Sequence, residues 1–178
     1  MLHYNEHILM NFLLVFKCLY IITTFAVLTF QIKTMYSTLQ MIHSYWAYLV
    51  LAMIVIASFN AIIKYLGGKE FHAIDFRIAL FTLIVSHIQL LIGLVLYFVS
   101  PNGLKNITAN GMGGLDPFAR LLAVEHPFVG ILAVTFITIG YSKHKKKLTS
   151  KPKFKVLSIF YTLGLLLVLS RIPWSNWF

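Results

Sequence analysis

Charged residues and cysteine are scarce in this chain, and each shortage excludes a class of protein. Only 11% of the 178 residues are charged and 59% are hydrophobic, which is too apolar a composition for a water-soluble globular domain. The single cysteine, Cys18, excludes an internal disulfide, a cysteine zinc cluster and an iron–sulfur site. The motif C-x-x-C-H is absent as well, which excludes a covalently attached c-type haem.

Acidic residues are the other shortage, since five of them stand against fifteen lysines and arginines and leave a formal net charge of +10. Seven of the lysines lie within residues 143–155, between two apolar stretches. A basic run in that position is first of all a signal for membrane orientation. We therefore expect a lipid bilayer, and no nucleic acid, among the partners of the chain.

Four apolar stretches are each close to the roughly 20 residues that a helix needs to cross a bilayer. They cover residues 39–66, 75–99, 116–141 and 154–172. The second is predicted to open with Asp75 as its N-cap, and the third with Asp116 as a cap followed by Pro117. Short connections favour an up-and-down order of the helices. The predicted fold is all-α, an integral membrane up-down four-helix bundle.

Residues 1–34 form a separate hydrophobic segment, for which two interpretations stay open. Residues 7–30 are apolar enough to span a membrane, although Lys17 interrupts them, and they lack the pattern of a signal peptide. Met35 begins a more ordinary membrane-protein start directly before the first clear helix. The segment is therefore either dispensable sequence ahead of the native start or an extra N-terminal helix. Residues 35–178 form the predicted four-helix membrane bundle.

The basic residues also predict how the spans are oriented. Ten lysines and arginines lie at the first and third connections, whereas three, Lys105, Arg120 and Arg171, lie at the opposite ends of the spans. Because lysine and arginine favour the cytoplasmic side, the loop from Lys143 to Lys155 is predicted to be cytoplasmic and the carboxyl terminus outside. We expect a multi-pass protein of a bacterial inner (cytoplasmic) membrane.

Three histidines lie inside apolar spans, where an imidazole needs a partner and indicates a function. His43 and His126 lie on the first and third spans at depths that agree within about 5 Å. Each has a small residue one helical turn further on, Ala47 and Gly130, which leaves space for a flat group. His43 and His126 are therefore predicted to be metal ligands that hold one haem iron from opposite sides.

The third of these histidines, His87, is predicted to lie about 9 Å or more deeper in the membrane than His126. Its neighbours one turn away, Leu83 and Leu91, leave no slot for a flat group. A hydrogen bond across the bundle or to Glu125 is the favoured interpretation of His87. The alternative is that His87 lies beside the cofactor, where it would contact a quinone headgroup or form part of a proton path.

Charged residues near the predicted outer edge complete the candidate site. Arg120 and Arg171 are predicted to pair with haem propionates, with simple anchoring of helix ends in the lipid headgroups as an equal alternative. Glu125 lies inside a span, where an unpaired carboxylate is costly, so a partner such as Arg171 is expected. Pro127 directly follows His126 and is predicted to kink or break the third helix.

Four segments of the chain resemble a known family. They are Ile42-His43-Ser44-Tyr45-Trp46, residues 87–94 with Tyr97 and Ser100-Pro101, Val124-Glu125-His126, and Ser170-Arg171-Ile172-Pro173-Trp174. The family is that of the short four-helix bacterial membrane proteins known as cytochrome B. A fainter similarity links the second and third spans to half of haem A synthase, from which the chain departs by having Pro127 after its histidine and no cysteine pair. The resemblance implies a membrane-bound haem b and electron transfer.

The predicted function is that of a b-type cytochrome with one non-covalent, bis-histidine haem b near the outer face. It would exchange electrons with a quinol, or quinone, or with a partner subunit. No nucleophile–base pair or phosphate-binding loop is recognisable, so no catalytic residue is predicted and an electron carrier is favoured over a free-standing enzyme. Two alternatives stay open: a cofactor-free subunit or assembly factor whose histidines link helices, and a small transporter with His87 as a proton-coupling group.

Overall fold

The computed structural model describes the backbone of residues 2–176 and the side chains of Lys17 and of residues 19–175. The α-helices are α1 (Leu2–Leu66), α2 (Ala73–Val99), α3 (Leu104–Asn110), α4 (Pro117–Arg120), α5 (His126–Lys145) and α6 (Ser150–Ser170). A π-helix, Leu121–Glu125, joins α4 to α5, and short 3-10 helices occupy Met112–Gly114 and Trp174–Asn176. Residues 2–176 contain no β-strand.

Within the part of the chain that the structure describes, four helical segments are long and apolar enough to cross a membrane, which confirms the predicted all-α class and a multi-pass membrane protein. They are Leu19–Leu66, Ala73–Asn110, Pro117–Lys145 and Ser150–Ser170. Many large hydrophobic side chains lie exposed on these segments, among them Phe59, Leu91 and Phe128. Such a surface requires contact with the lipid bilayer, because water would solvate it poorly.

The chain divides into two compact units, Met1–Thr38 and Leu39–Phe178. The first unit holds the amino-terminal part of α1, and most of its described large hydrophobic side chains are exposed, among them Leu19, Phe25 and Phe30. The second unit holds the rest of α1, all later helices and every predicted site residue. The structure does not describe Met1, residues 177 and 178, or the side chains of residues 2–16, Cys18 and Asn176. The two interpretations of residues 1–34, dispensable sequence or an extra N-terminal helix, stay predictions.

Most helix ends follow the local signals that the sequence contains. α1 ends at Leu66, before a glycine pair in which Gly68 has a φ of +59°, a conformation that glycine adopts without strain. α2 ends at Val99, directly before Ser100-Pro101. The side chain of Asp116 accepts hydrogen bonds from two backbone N–H groups in the first turn of α4, as its predicted capping role requires.

The predicted N-cap role of Asp75 is wrong, because α2 begins two residues earlier with His72 as its cap. The Asp75 carboxylate is buried and accepts the His72 backbone N–H at 2.9 Å through Oδ2. Its Oδ1 accepts hydrogen bonds from Lys64 Nζ at 2.6 Å and from Asn60 Nδ2 at 2.8 Å. The same carboxylate thus caps α2 from the third helical position and links α2 to α1.

Polar residues lengthen α5 and α6 beyond the predicted spans. α5 continues to Lys145 rather than Tyr141, and α6 begins at Ser150 rather than Phe154. Lysine favours the helical conformation and carries its charge away from the apolar stretch, so these turns extend the helices past the hydrocarbon. The connection between α2 and α4 contains the short helix α3.

Close approach between α5 and α6 depends on glycine. A Cβ atom on Gly140 would lie 2.6 Å from Phe160 Cβ, and one on Gly164 would lie 3.0 Å from Ile137 Cγ1. Small residues at helix contacts let membrane helices pack closely and gain van der Waals contact. Most of the buried core lies around this contact and along α1 and α2. It includes Val50, Ile54, Ala57, Ala61, Ala79, Val85, Phe154, Leu157 and Tyr161.

Candidate functional site

The structure brings the side chains of His43 and His126 together. Their ring centroids lie 6.1 Å apart, with the ring planes at 79° to each other. His43 belongs to α1 and His126 is the first residue of α5. Two imidazoles that bind one metal ion from opposite sides through bonds of about 2 Å place their centres roughly 6 Å apart. The observed separation is therefore compatible with one iron between the two rings.

A local irregularity in the backbone precedes His126. Leu121–Glu125 is a π-helix, and the backbone N–H of His126 bonds to the carbonyl of Leu121, five residues earlier. Pro127 has no N–H to donate and its ring disturbs the preceding turn. The predicted kink or break therefore takes the form of a π-helical turn, and the helical segment continues without a break from Pro117 to Lys145. Single π-helical turns are frequent at functional sites, because the wider turn changes the direction of the side chains beside it.

The hydrogen bond of His126 determines which of its ring nitrogens is free. Nδ1 of His126 lies 2.8 Å from the main-chain carbonyl oxygen of Arg171, at the end of α6. A carbonyl oxygen only accepts hydrogen bonds, so Nδ1 carries the proton and donates it. In the neutral ring, Nε2 then keeps its lone pair, as a metal ligand requires.

His43 lies against α2, where Gln89 is its polar neighbour. The side-chain amide of Gln89 donates to the His43 main-chain carbonyl at 3.0 Å, and its Nε2 lies 3.4 Å from His43 Nε2. His43 Nδ1 and Gln89 Oε1 are both buried and have no hydrogen-bond partner. Buried polar atoms without partners are rare, and two of them on adjacent side chains indicate a site built to receive another group.

A glycine lies near each of the two histidines. Gly93 of α2 lies against the His43 ring, and a Cβ atom there would be 3.1 Å from Cε1. At Gly130, one turn after His126, a Cβ atom would meet no other heavy atom within 4 Å. Open space therefore lies beside Gly130, whereas Ala47, one turn from His43, is half-buried. The slot between the two histidines stays a prediction.

Gln89 and Gly93 are site residues that the sequence reasoning missed. They lie four residues apart on α2 and thus on the same helix face. Two signals were present in the sequence, a glutamine inside an apolar span and a glycine one turn beyond it. Only the packing of α2 against His43 shows that Gln89 and Gly93 lie beside this histidine.

Glu125 pairs with both arginines of the predicted outer edge. Its Oε1 lies 3.1 Å from Arg120 Nε and its Oε2 lies 3.0 Å from Arg171 Nε. The partner expected for Glu125 is therefore present, and it comes from α6 as well as from α4. The two arginine side chains remain 53% and 45% exposed. Their pairing with haem propionates stays a prediction.

His87 takes part in a different set of contacts. Its Nδ1 lies 2.8 Å from the Leu83 carbonyl oxygen within α2, and its Nε2 lies 3.4 Å from Thr138 Oγ1 of α5. The contact of His87 with another helix is thus the one with Thr138 of α5, rather than one with Glu125. Contacts of this kind hold membrane helices together with about 0.6 kcal/mol each.

The donor set at the site fits a haem better than a free metal ion. Among the residues that the structure describes, no group of three or more histidine, cysteine, aspartate or glutamate side chains is placed to hold a metal ion. Two imidazoles alone are too few ligands for a bare divalent metal, which takes four or more. A haem brings four nitrogens of its own and needs protein ligands only in its axial positions.

Comparisons with known proteins do not show a family for this chain. No protein-family model matches the chain, and no solved structure matches it. One similar protein is the "uncharacterized amino acid permease YvbW" of Bacillus subtilis (strain 168), 27% identical over 127 residues. That similarity covers 65% of this chain, and the chain spans 28% of the permease. The likeness agrees with a multi-pass membrane protein, and the resemblance to cytochrome B proteins stays a prediction.

Proposed function

We propose that this protein is a membrane-bound b-type cytochrome, in which His43 and His126 hold one haem b for electron transfer. The observation that carries the proposal is the 6.1 Å separation of the two imidazole centroids, on two different helices. When bound, haem supplies reversible one-electron chemistry at its iron. The protein supplies the axial ligands, the apolar surroundings and the charges that set the potential.

Each histidine has a defined part in this arrangement. His126 presents Nε2 because its Nδ1 donates to the Arg171 carbonyl group. His43 is held against α2 by the Gln89 amide and by close contact with Gly93. His43 and His126 would both hold the haem iron and would leave no iron position open for oxygen or another substrate, which favours an electron carrier over an oxygenase.

The partners and location follow from the charge distribution. The lysines of residues 143–155 support a cytoplasmic position for that loop, so the two histidines lie towards the outer face of a bacterial inner membrane and the carboxyl terminus lies outside. A single haem near one face exchanges electrons with a quinol in the bilayer or with a partner subunit. Electron transfer across the whole membrane needs a second centre or a mobile quinone.

A difference spectrum tests the proposal directly. The protein is purified in detergent from cells that make haem, and its dithionite-reduced minus oxidised spectrum is recorded together with a pyridine haemochrome assay. We expect the α band of a low-spin b-type haem at about one haem per chain. Absence of haem from such a preparation would overturn the proposal and leave the histidines as links between helices.

An amino acid transporter is a second candidate, favoured by the 27% identity with the permease YvbW. His87 and Thr138 form the polar contact between α2 and α5 that proton-coupled transport would use. Uptake of labelled amino acids into proteoliposomes tests this candidate. Uptake driven by a proton gradient and lost in His87→Ala would support transport, whereas uptake equal to that of protein-free vesicles would exclude it for the amino acids tested.

A further inference from the structure

We infer that Arg171 is a positioning residue for His126, which it orients through its main-chain carbonyl group while its side chain is anchored by Glu125. The inference rests on the proposed haem site and adds to it a means of setting the strength of one axial ligand. Neither the helical pattern nor the predicted pairing with propionates assigns this role to Arg171.

Arg171 contacts two consecutive residues at the start of α5. Its carbonyl oxygen accepts the Nδ1 proton of His126 at 2.8 Å, and its guanidinium Nε lies 3.0 Å from Glu125 Oε2. Arg171 is the C-cap of α6, and its own N–H bonds to the Val168 carbonyl. Carbonyl groups at the end of a helix have no partner within that helix, so this one is available to His126.

The anchoring carboxylate is itself held from two sides. Glu125 Oε1 binds Arg120 Nε at 3.1 Å while Oε2 binds Arg171. Charge-assisted hydrogen bonds on both oxygens restrict the rotation of the carboxylate. A second bond of Arg171, from Nη1 to the Ser170 carbonyl at 2.8 Å, keeps the guanidinium close to the end of α6.

This arrangement has a consequence for the redox potential. A strong hydrogen bond from Nδ1 makes Nε2 more basic, and a more basic ligand stabilises oxidised iron and lowers the midpoint potential. If the end of α6 is released from Glu125, the carbonyl group moves away and the potential rises. The loss of a nearby positive charge has the opposite effect, because it favours the more positive, oxidised iron.

The variants Arg171→Ala and Arg120→Ala therefore separate the two effects. Both remove one positive charge from the same carboxylate, but only the first releases the residue whose carbonyl group binds His126. We expect redox titration to give a lower midpoint potential than wild type for Arg120→Ala, and a higher potential for Arg171→Ala than for Arg120→Ala, with wild-type behaviour largely restored by Arg171→Lys. Equal downward shifts in both alanine variants would overturn the positioning role. If Arg171→Ala does not accumulate, Arg171→Met removes the same charge and the same hydrogen bond to Glu125 and carries the same expectation.

A second readout is independent of haem. In the full-length protein labelled with 15N-histidine, the nitrogen chemical shifts of His126, assigned by comparison with His126→Ala, report which ring nitrogen carries the proton. We expect a single Nδ1–H form in haem-free wild-type protein and a mixture of forms in Arg171→Ala. The same mixture in the wild type would overturn the inference. Protein that binds no haem but shows the single form would overturn the proposed function alone.

Discussion

The imidazole rings of His43 and His126 meet edge to face, with their centroids 6.1 Å apart and their planes at 79°. One ring is borne by a long regular helix, and the other follows a π-helical turn at a proline. No second pair of histidines among residues 17 and 19–175 lies in such ring contact. This ring contact is the feature of the structure on which the proposed haem site depends.

Replacing either ring should remove the haem. We expect His43→Ala and His126→Ala each to abolish the low-spin b-type spectrum, because a single remaining imidazole leaves one axial position without a protein ligand. The measurement is the haem-to-protein ratio from a pyridine haemochrome assay on protein purified in detergent. Both variants should still be found in the membrane fraction, since neither histidine lies in the buried core.

His87→Ala is the matched control for those two variants. It also removes a histidine from inside a span, but one whose nitrogens face the Leu83 carbonyl and Thr138. We expect the haem content to stay at the wild-type level, with a loss of stability of about 0.6 kcal/mol from the cross-helix contact. Loss of haem in His87→Ala alone would show that the pairing of His43 with His126 is wrong.

Gly130 allows the cofactor slot to be tested without disturbing the packing of the helices. A Cβ atom added there meets no heavy atom within 4 Å, so we expect Gly130→Leu to leave insertion and thermal unfolding of the haem-free protein unchanged. If a porphyrin occupies the space, the leucine takes its place and the haem content falls several-fold. The haem-to-protein ratio and circular dichroism of the same samples give both quantities.

Gly113 supplies the comparison for that substitution. It is an exposed glycine at which an added Cβ atom likewise meets no heavy atom within 4 Å, and it lies in the connection before α4. Gly113→Leu should affect neither stability nor haem content. A full haem complement in Gly130→Leu would mean that the open space beside this residue faces lipid alone.

Asp75 should be important for stability and not for haem binding. Asp75→Ala removes the acceptor of three hydrogen bonds and leaves the Lys64 ammonium group without its partner. We expect a loss of about 2–3 kcal/mol, less than for a fully buried ion pair because the Lys64 side chain is 25% exposed. Thermal unfolding in detergent, followed by circular dichroism, measures the difference.

Asp116→Ala is the matched variant for Asp75→Ala. Asp116 also accepts backbone N–H bonds at the start of a helix, but it is exposed and has no lysine partner in the structure's described residues. We expect a loss of about 1 kcal/mol, as is typical of a helix cap. Equal destabilisation by the two variants would show that the link from Asp75 to α1 adds nothing beyond capping.

A chain that starts at Met35 should insert into the membrane and retain the spectrum of the longer chain. The unit Leu39–Phe178 holds both histidines, both arginines and Glu125, and it folds around its own buried core. Membrane fractionation and the haemochrome assay on the shortened chain provide the measurement. Degradation of the shortened chain, or its failure to insert, would show that residues 1–34 include a necessary helix.

Much of the helical framework could be predicted from the sequence because its signals are local. Runs of apolar residues near the length of a bilayer crossing indicate spans, and pairs such as Gly67-Gly68 or Asp116-Pro117 end or begin a helix through the conformations of their own backbones. Where the prediction was wrong, at Asp75, the deciding partners were Lys64 and Asn60 of another helix. Their positions cannot be inferred from residues adjacent to Asp75.

The sequence by itself determined an all-helical membrane protein and the three histidines that lie within its spans, because hydrophobicity and helical rise depend on each segment alone. Only the tertiary structure decided which of those histidines meet and what surrounds them. The bond from His126 to the Arg171 carbonyl, the contact of His43 with Gly93, and the pairing of Glu125 with two arginines all join different helices. Such contacts depend on how the helices are rotated and translated against one another, which is set by the packing of the whole bundle.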